Sequence, residues 1–538
     1  MAKPLPISAQ RASRWADLDR GVTAVVDRGS VRLAELVATL SLATDLGRGE
    51  PMEHCLRQTV IALRIADRIG VVERDRVATY YTGLLANVYC HADAHEQAEW
   101  FGDDIAVKHG SYEPHVFEFL RMIGASERGL ARARKMAAFP GQGAALLKSM
   151  YDTHTRLASQ FAARIGLDDV TCRALRETYE QWDGKGGPRK LMGEEVSLPA
   201  RIVQLADLTE VAYRRRGLDA AREYARKRRG RNFDPALADL FITEAEELVA
   251  GIDAASSCWE DVIGAEPSLT RFVGGDDLDA ALEAMADLVD MKSPRMSGHS
   301  RGVANLALEA GRISGLADDE LSALHRAGFL HDLGRLGISN AIWDKPGPLT
   351  PAELEHTRLH PYLTSRMLAG VPALARSREL AANHHERLDG SGYPRGIGAA
   401  QLTPADRLLA AADVYHAMTE PRAYRAVRPE SEAAAELRSE VRAGRLDGDA
   451  VNSVLKAAGH RVSARREWPA GLTAREVEVL GLLARGYSSR QIAERLVVTP
   501  KTVSNHIQNI YLKIDASSRA AATHFAMQHA LVGSFEGR

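Results

Sequence analysis

Residues 384–394 read "HHERLDGSGYP", and residues 178–188 read "TYEQWDGKGGP". Glu386 is answered by Glu180 and the Asp389-Gly390 pair by Asp183-Gly184, 206 positions earlier. His384 and His385 are answered by Thr178 and Tyr179. A phrase written twice, with its histidines kept once, marks a tandem repeat in which one copy has given up some chemistry. From Asp389 to Asp413 is 24 residues, as it is from Asp183 to Asp207, and "LTPADRLLAAADVYHAM" lies opposite "LPARIVQLADLTEVAY". Upstream, "GHSRGVANLALEAGRISGL" from Gly298 matches "EHCLRQTVIALRIADRIGV" from Glu53 at an offset of 245. Repeat 1 therefore carries 39 additional residues between its blocks, expected around "RARKMAAFPGQGAALLK".

Both copies are built from Ala/Leu/Arg/Glu runs with apolar residues at helical spacing and little β-alternation. The fold class read from this is all-α: tandem helical domains at 30–255 and 285–460, after an N-terminal segment 1–29 and joined by a connector at 256–284. The charged, Pro-containing stretch at 461–471 reads as a linker to a third, small domain at 472–538. That domain has its own helix starts. Thr473 with Glu476 and Ser488 with Gln491 are capping boxes, and Thr499-Pro500 supplies an N-cap followed by Pro at N1. Several short helices in so few residues predict a helix-turn-helix module.

Composition limits the function classes. The chain has 538 residues, too many for one core, with 45% hydrophobic and 26% charged residues. Cysteines 55, 90, 172 and 258 form no CxxC pair, which argues against a disulfide framework and fits a reducing cytoplasm. Neither a membrane span nor the apolar core of a signal peptide is visible. The net charge of −2 hides an asymmetry, since from Arg461 onward eleven Lys/Arg face six Asp/Glu. The C-terminal piece is the one expected to meet nucleic acid.

Repeat 2 holds His299, His331-Asp332, His360, His384-His385 and Asp413. Five histidines and two aspartates on helix-forming segments are too many ionisable groups to bury without a shared purpose. Imidazoles with carboxylates suit manganese, iron or zinc, and Asp332 is placed to bridge two ions. Two such ions can clamp a phosphodiester and activate a water.

The set "HDLGRLGI", "HP", "HHERLDGSGYP" and "AADVYHAM…PRAYR" resembles the HD-GYP branch of the HD phosphohydrolase superfamily over about 290–455. The resemblance implies two divalent ions, manganese or iron first, with zinc and magnesium as alternatives. His299, His331, Asp332 and Asp413 would hold one; Asp332, His360, His384 and His385 the other. It implies hydrolysis of cyclic di-GMP to pGpG, and in some members to GMP, with His331, Asp332 and Arg335 catalytic and Arg335, Tyr393, Arg422 and Arg425 on the substrate. Two positions depart from the family. Its "HDxGK" lysine is Arg335 here, and the glutamate that three-metal members carry four residues before the first histidine is Arg295. Two other readings follow from these departures and from the breadth of HD chemistry: a transcription factor that senses a nucleotide without useful turnover, or a hydrolase of another phosphate ester.

Repeat 1 keeps His54, His154 and Asp207 but has Ala86-Asn87 and Thr178-Tyr179 where the ligand pairs stand, so it is expected to be catalytically dead. "YCHADAHE" at 89–96 offers Cys90, His91, Asp93 and His95, without a partner cluster. The segment 472–514 resembles the LuxR/FixJ-type helix-turn-helix. In it Val503, Ile507, Ile510 and Ile514 form a core face, and Lys501, Ser504, Asn505 and Gln508 the opposite one. Asn and Gln would read bases in the major groove of double-stranded DNA, while Lys501, Thr502 and Lys513 suit phosphate. One such module reads a half-site, so a homodimer is expected.

Overall fold

The computed structural model describes residues 30–110, 120–253, 258–267, 271–421, 427–461, 469–529 and 531. Arg422 and Arg425 lie outside the described residues, as do 1–29 and most of the expected linker. Among the described residues the chain is all-α apart from one short antiparallel pair, β1 (Val31–Arg32) with β2 (Phe272–Val273), in the register Val31↔Val273. It divides into two units, one ending at His460 and one beginning at Arg461. Among the described residues no helix is long and apolar enough to cross a membrane.

In the first unit the two repeats pack as one body. A single apolar cluster runs from Val31, Leu36 and Leu40 through Leu84, Leu205 and Phe241 to Leu282, Leu336 and Leu374. Its central element is α1 (Leu33–Gly47), buried almost throughout, whose end meets repeat 2: a Cβ on Gly47 would lie 3.2 Å from the Leu336 carbonyl. Described residues of the stretch 256–284, expected as a connector, carry side chains of this core, among them Cys258, Val262, Ile263, Val273, Leu278 and Leu282. Within it α2 (Cys258–Gly264) sends Trp259 against Gly370, where a Cβ would come within 2.3 Å of the indole. Arg32 also bonds Glu266 through both Nε (3.0 Å) and a terminal nitrogen (2.6 Å). The apolar residues of the expected connector thus had a partner in both copies, which a composition-based boundary does not show.

The two copies start their first-histidine helices alike. His54 opens α3 (His54–Ile69) and His299 opens α4 (His299–Ser314), each after a left-handed residue, Glu53 at φ 80° and Gly298 at φ 83°. Ten residues upstream a buried carboxylate takes the next amide: Asp45 accepts from Cys55 at 3.2 Å and Asp290 from Ser300 at 2.9 Å. Each satisfies an orphan N–H of a first turn and sets where the histidine points.

The second unit folds around Val477, Leu480, Leu483, Ile492, Val503 and Ile510. Its helices are α5 (Ala474–Ala484), α6 (Ser489–Leu496), α7 (Pro500–Lys513) and α8 (Arg519–Gln528). Both expected capping boxes are formed, and Thr499 caps α7 through the Thr502 amide.

Candidate metal centre

The repeated phrase divides its labour. In repeat 2 Glu386 accepts the amides of Arg395 (2.8 Å) and Ile397 (3.0 Å); in repeat 1 Glu180 accepts those of Arg189 (2.6 Å) and Leu191 (3.0 Å). Gly392 and Gly186 lie so close to the preceding backbone that a Cβ would fall within 2.4 and 2.3 Å of it. The shared residues build one loop in both copies. The histidines add something to it only in the second.

In repeat 2 the loop brings His384 and His385 to His299, His331, Asp332, His360 and Asp413. Asp332 faces both ways. Its Oδ2 lies 3.7 Å from His299 Nε2 and 3.4 Å from His331 Nε2, and its Oδ1 lies 3.4 Å from His360 Nε2 and 4.0 Å from His384 Nε2. Asp413 stands 3.4 Å from His299 Nε2 and 3.8 Å from His385 Nδ1. His331 and His384 are fully buried, and His299, His360 and Asp332 almost so.

Helix ends orient the rings. His331 and His384 cap the helices they follow, and His360, which begins the helix His360–Met367, stands three residues past the end of the helix Pro351–Thr357; at such ends carbonyls lack an amide partner. Each places Nδ1 on the carbonyl three residues back: Gly328 at 2.8 Å, Thr357 at 2.6 Å and Ala381 at 2.6 Å. The Nδ1 proton caps the helix, and the Nε2 lone pair is left pointing into the site. His299 begins its helix and has no such carbonyl. Its Nδ1 instead meets Glu420 Oε2 at 2.8 Å, with His416 3.2 Å from the other Glu420 oxygen.

This donor set fits divalent cations. His331 Nε2 is buried with no hydrogen-bond partner. His360 Nε2 and His384 Nε2 stand 3.1 Å apart, both with Nδ1 committed to a carbonyl, so two lone pairs converge where only a cation relieves them. Burial holds His360 down to about 4 and His384 to about 3, in the neutral, ligating form. Against their own burial, the Asp332 and Asp413 carboxylates are held well below the usual range, chiefly by Arg335 and His331 for the first and by His299 for the second. Together they pull His331 up to about 9 despite its burial, the mark of a site short of positive charge. Imidazole-carboxylate sets of this kind suit manganese, iron or zinc.

A cleft of about 400 Å³ opens over the cluster. Arg335, Trp343, Tyr393, Met418 and Arg428 line it, and Glu436 and Glu440 stand at its edge. Arg335 pairs with Asp332 and lies over the Trp343 ring, 4.0 Å from its centroid. The Tyr393 ring lies 4.7 Å from that of His385, tilted by 33°. Sequence reading missed Trp343, Arg428, Glu420 and Asp290. The charge at Glu420, seven residues after Asp413 at the end of its helix, was the available signal for one of them.

Repeat 1 forms no equivalent centre among the described residues. His54 is held between Asp207 (2.9 Å) and Glu210 (2.5 Å), while His154 turns to Asp93 at 2.9 Å. Tyr179, in the place of His385, lies 3.3 Å from the Cys90 thiol. The residues of "YCHADAHE" scatter: His91 bonds the Leu288 carbonyl at 2.7 Å and His95 bonds Asp344 at 2.8 Å.

In the second unit Lys501, Ser504, Asn505 and Gln508 share the exposed side of α7, opposite buried Val503 and Ile510. Thr502 is half-buried and paired with Thr499 at 2.8 Å. Lys513, expected on phosphate, is occupied: its ammonium donates to Glu476 at 2.8 Å and to the Gly471 carbonyl at 3.1 Å, tying the helix to the start of the domain.

Residues 145–237 and 283–450 match the HD domain family, and 470–526 match the family described as bacterial regulatory proteins, luxR family. The chain is 28% identical over 414 residues to the 3'3'-cGAMP-specific phosphodiesterase 3 of Vibrio cholerae, covering 75% of this chain and 90% of that protein. It is 34% identical over 160 residues to a cyclic di-GMP phosphodiesterase of Thermotoga maritima, 29% of this chain and 43% of that one. The fold superposes on the crystal structure of a Vibrio cholerae cyclic GMP-AMP specific phosphodiesterase (V-cGAP3) with a TM-score of 0.57 at 25% identity, over 81% of this chain and 99% of that one.

Proposed function

Since this chain carries HD-domain sequence in both repeats and ends in a luxR-family module, we propose that it is a metal-dependent phosphodiesterase of cyclic dinucleotides joined to a DNA-binding regulator. The observation that carries the reading is Asp332, whose two oxygens face two separate groups of histidines. His299, His331, Asp332 and Asp413 would hold one divalent ion, manganese or iron, and Asp332, His360, His384 and His385 the second. Such ions, when bound, supply an activated water and neutralise charge at the phosphate.

The chain's own residues do the rest. Burial keeps bulk water from the ligands and strengthens every electrostatic interaction inside. Arg335, braced by Asp332 and Trp343, presents guanidinium nitrogens to a non-bridging phosphate oxygen. Tyr393 offers a face on which a base stacks, and Arg428 adds a second cation in the cleft. Arg422 and Arg425 keep their expected phosphate role as part of this proposal. One water is consumed per phosphodiester cleaved, leaving a linear dinucleotide with a 5'-phosphate.

Cyclic di-GMP is the substrate this reading puts first, giving pGpG. 3'3'-cGAMP is the second reading, favoured because the relative matched across both repeats bears that name. In the regulator module Lys501, Thr502, Ser504, Asn505 and Gln508 would meet double-stranded DNA, as a homodimer on paired half-sites in the cytoplasm. The test is product analysis with each cyclic dinucleotide and manganese or iron. Turnover should vanish in His331→Ala and Asp332→Ala. Binding without product in the parent chain would overturn the enzyme reading in favour of a nucleotide sensor.

A further inference from the structure

Repeat 1 has lost the histidine and aspartate pairs, yet its residues His95 and Asp104 reach the part of repeat 2 that carries Asp332 and Arg335. Asp104, completely buried in the short helix Asp104–Gly110, has every acceptor position engaged. Its Oδ1 accepts from the Ser339 hydroxyl (2.9 Å) and the Asn340 amide (2.8 Å). Its Oδ2 accepts from the ammonium groups of Lys292 and Lys108, both at 3.2 Å. Lys292 donates also to the Leu336 carbonyl at 3.2 Å, in the turn that follows Asp332. A second tie lies four residues on, where Asp344 takes His95 of repeat 1 (2.8 Å), Ser293 (2.7 Å) and the Asn340 amide side chain (3.2 Å).

Between these ties stands Trp343. One ring contact holds the Arg335 guanidinium at 4.0 Å, and another is edge-on to the metal-ligand candidate His360 at 5.6 Å. Apolar packing adds to it, since Leu46 of α1 lies 3.2 Å from where a Gly337 Cβ would be. A buried carboxylate between two ammonium groups is costly unless fully bonded, and here it is fully bonded. Such a hub rigidifies what it touches.

We propose that Asp104 and His95 of repeat 1 are positioning residues for the repeat 2 site: they hold 339–344 so that Trp343 keeps Arg335 on the bridging carboxylate Asp332. The catalytically incomplete copy is on this view a structural part of the other copy's active site. The proposal rests on the hydrolase reading only for its kinetic arm.

The experiment compares full-length parent, His95→Ala and Asp104→Asn. His95 is partly exposed, so its variant stays folded even if the second does not. Hydrogen exchange of 333–344 is expected to rise in both, with α3 and the second unit unchanged. With the metal-loaded chain, kcat is expected to fall about tenfold or more with a much smaller change in KM, as misplacement of a positioned group does. Unchanged exchange at 333–344 overturns the clamp. Raised exchange with kcat within twofold of the parent overturns its role in positioning. If the parent turns over neither cyclic dinucleotide, the hydrolase reading falls, and the exchange measurement still decides the clamp.

Discussion

His299 Nδ1 and Glu420 Oε2 are 2.8 Å apart, and His54 Nδ1 and Glu210 Oε2 are 2.5 Å apart, although the two glutamates are not equivalent in the repeat. By the offset of 206, Glu210 corresponds to His416, and Glu420 corresponds to Arg214. Each copy delivers a carboxylate to its first histidine from positions one helical turn apart. Neither first histidine sets its Nδ1 on a carbonyl three residues back, as His360 does at its own helix start, so that nitrogen needs another acceptor to fix the tautomer. Glu420→Gln is therefore expected to weaken divalent-ion affinity by about 10- to 100-fold. Calorimetric titration of the metal-free chain with manganese checks it, and an unchanged affinity would refute the assignment.

The swap of His416 into the place of Glu210 needs room, and Gly302 supplies it. A Cβ there would lie 1.8 Å from His416 Nε2. An ordinary helix-interior Gly→Ala change stabilises by roughly 0.5–1 kcal/mol. Here the overpacking, about 1–3 kcal/mol, is expected to win. Gly302→Ala should lower the denaturation midpoint, and adding His416→Ala should restore it. A stabilised single variant would show that the ring moves freely.

Acid stability should report His91. Burial pushes its imidazole down to about 3, with its Nε2 proton donated to the Leu288 carbonyl. The folded state then holds fewer protons than the unfolded one between about 3 and the ordinary value near 6.5. Stability from this group is complete above that window and falls with acidification, at up to about 1.4 kcal/mol per pH unit. Urea unfolding of the metal-free chain from pH 7 to 5 should show the loss, and His91→Gln, which keeps a donor, should reduce the slope. Identical slopes would rule the assignment out.

In the second unit, Asn505→Ala is expected to cost about 1–3 kcal/mol on a cognate DNA site. Lys501→Ala should weaken binding to all sequences and lower the salt slope by about 1. Lys513→Ala should leave that slope alone and reduce the melting temperature of the domain, because its ammonium holds Glu476 and Gly471. Fluorescence anisotropy across a salt series separates the three outcomes.

The helical class, the capping boxes of α5 and α6 and the core stripe of α7 were legible because caps and periodicity act within a few residues. The cluster of His299, His331, Asp332, His360, His384, His385 and Asp413 was legible through the repeat, which separated ligand pairs from loop-building residues such as Glu386 and Gly392. The Lys513 ion pair was not legible because its partner Glu476 lies 37 residues away on another helix. The packing of Trp259, within the expected connector, was not legible because it meets Gly370 only in the folded core.

By itself the sequence determined which copy retains the full set of histidines and aspartates, since the absence of counterparts to His331, Asp332, His384 and His385 at the corresponding places of repeat 1 is a matter of residue type. Tertiary structure decided how those side chains are held. Three rings are aimed by carbonyls three residues back, His299 is met by Glu420, and Ser339 donates to Asp104 from 235 residues earlier in the chain. Hydrogen bonds act over about 3 Å in space and carry no trace of the chain length between their partners, so only the folded molecule reveals them.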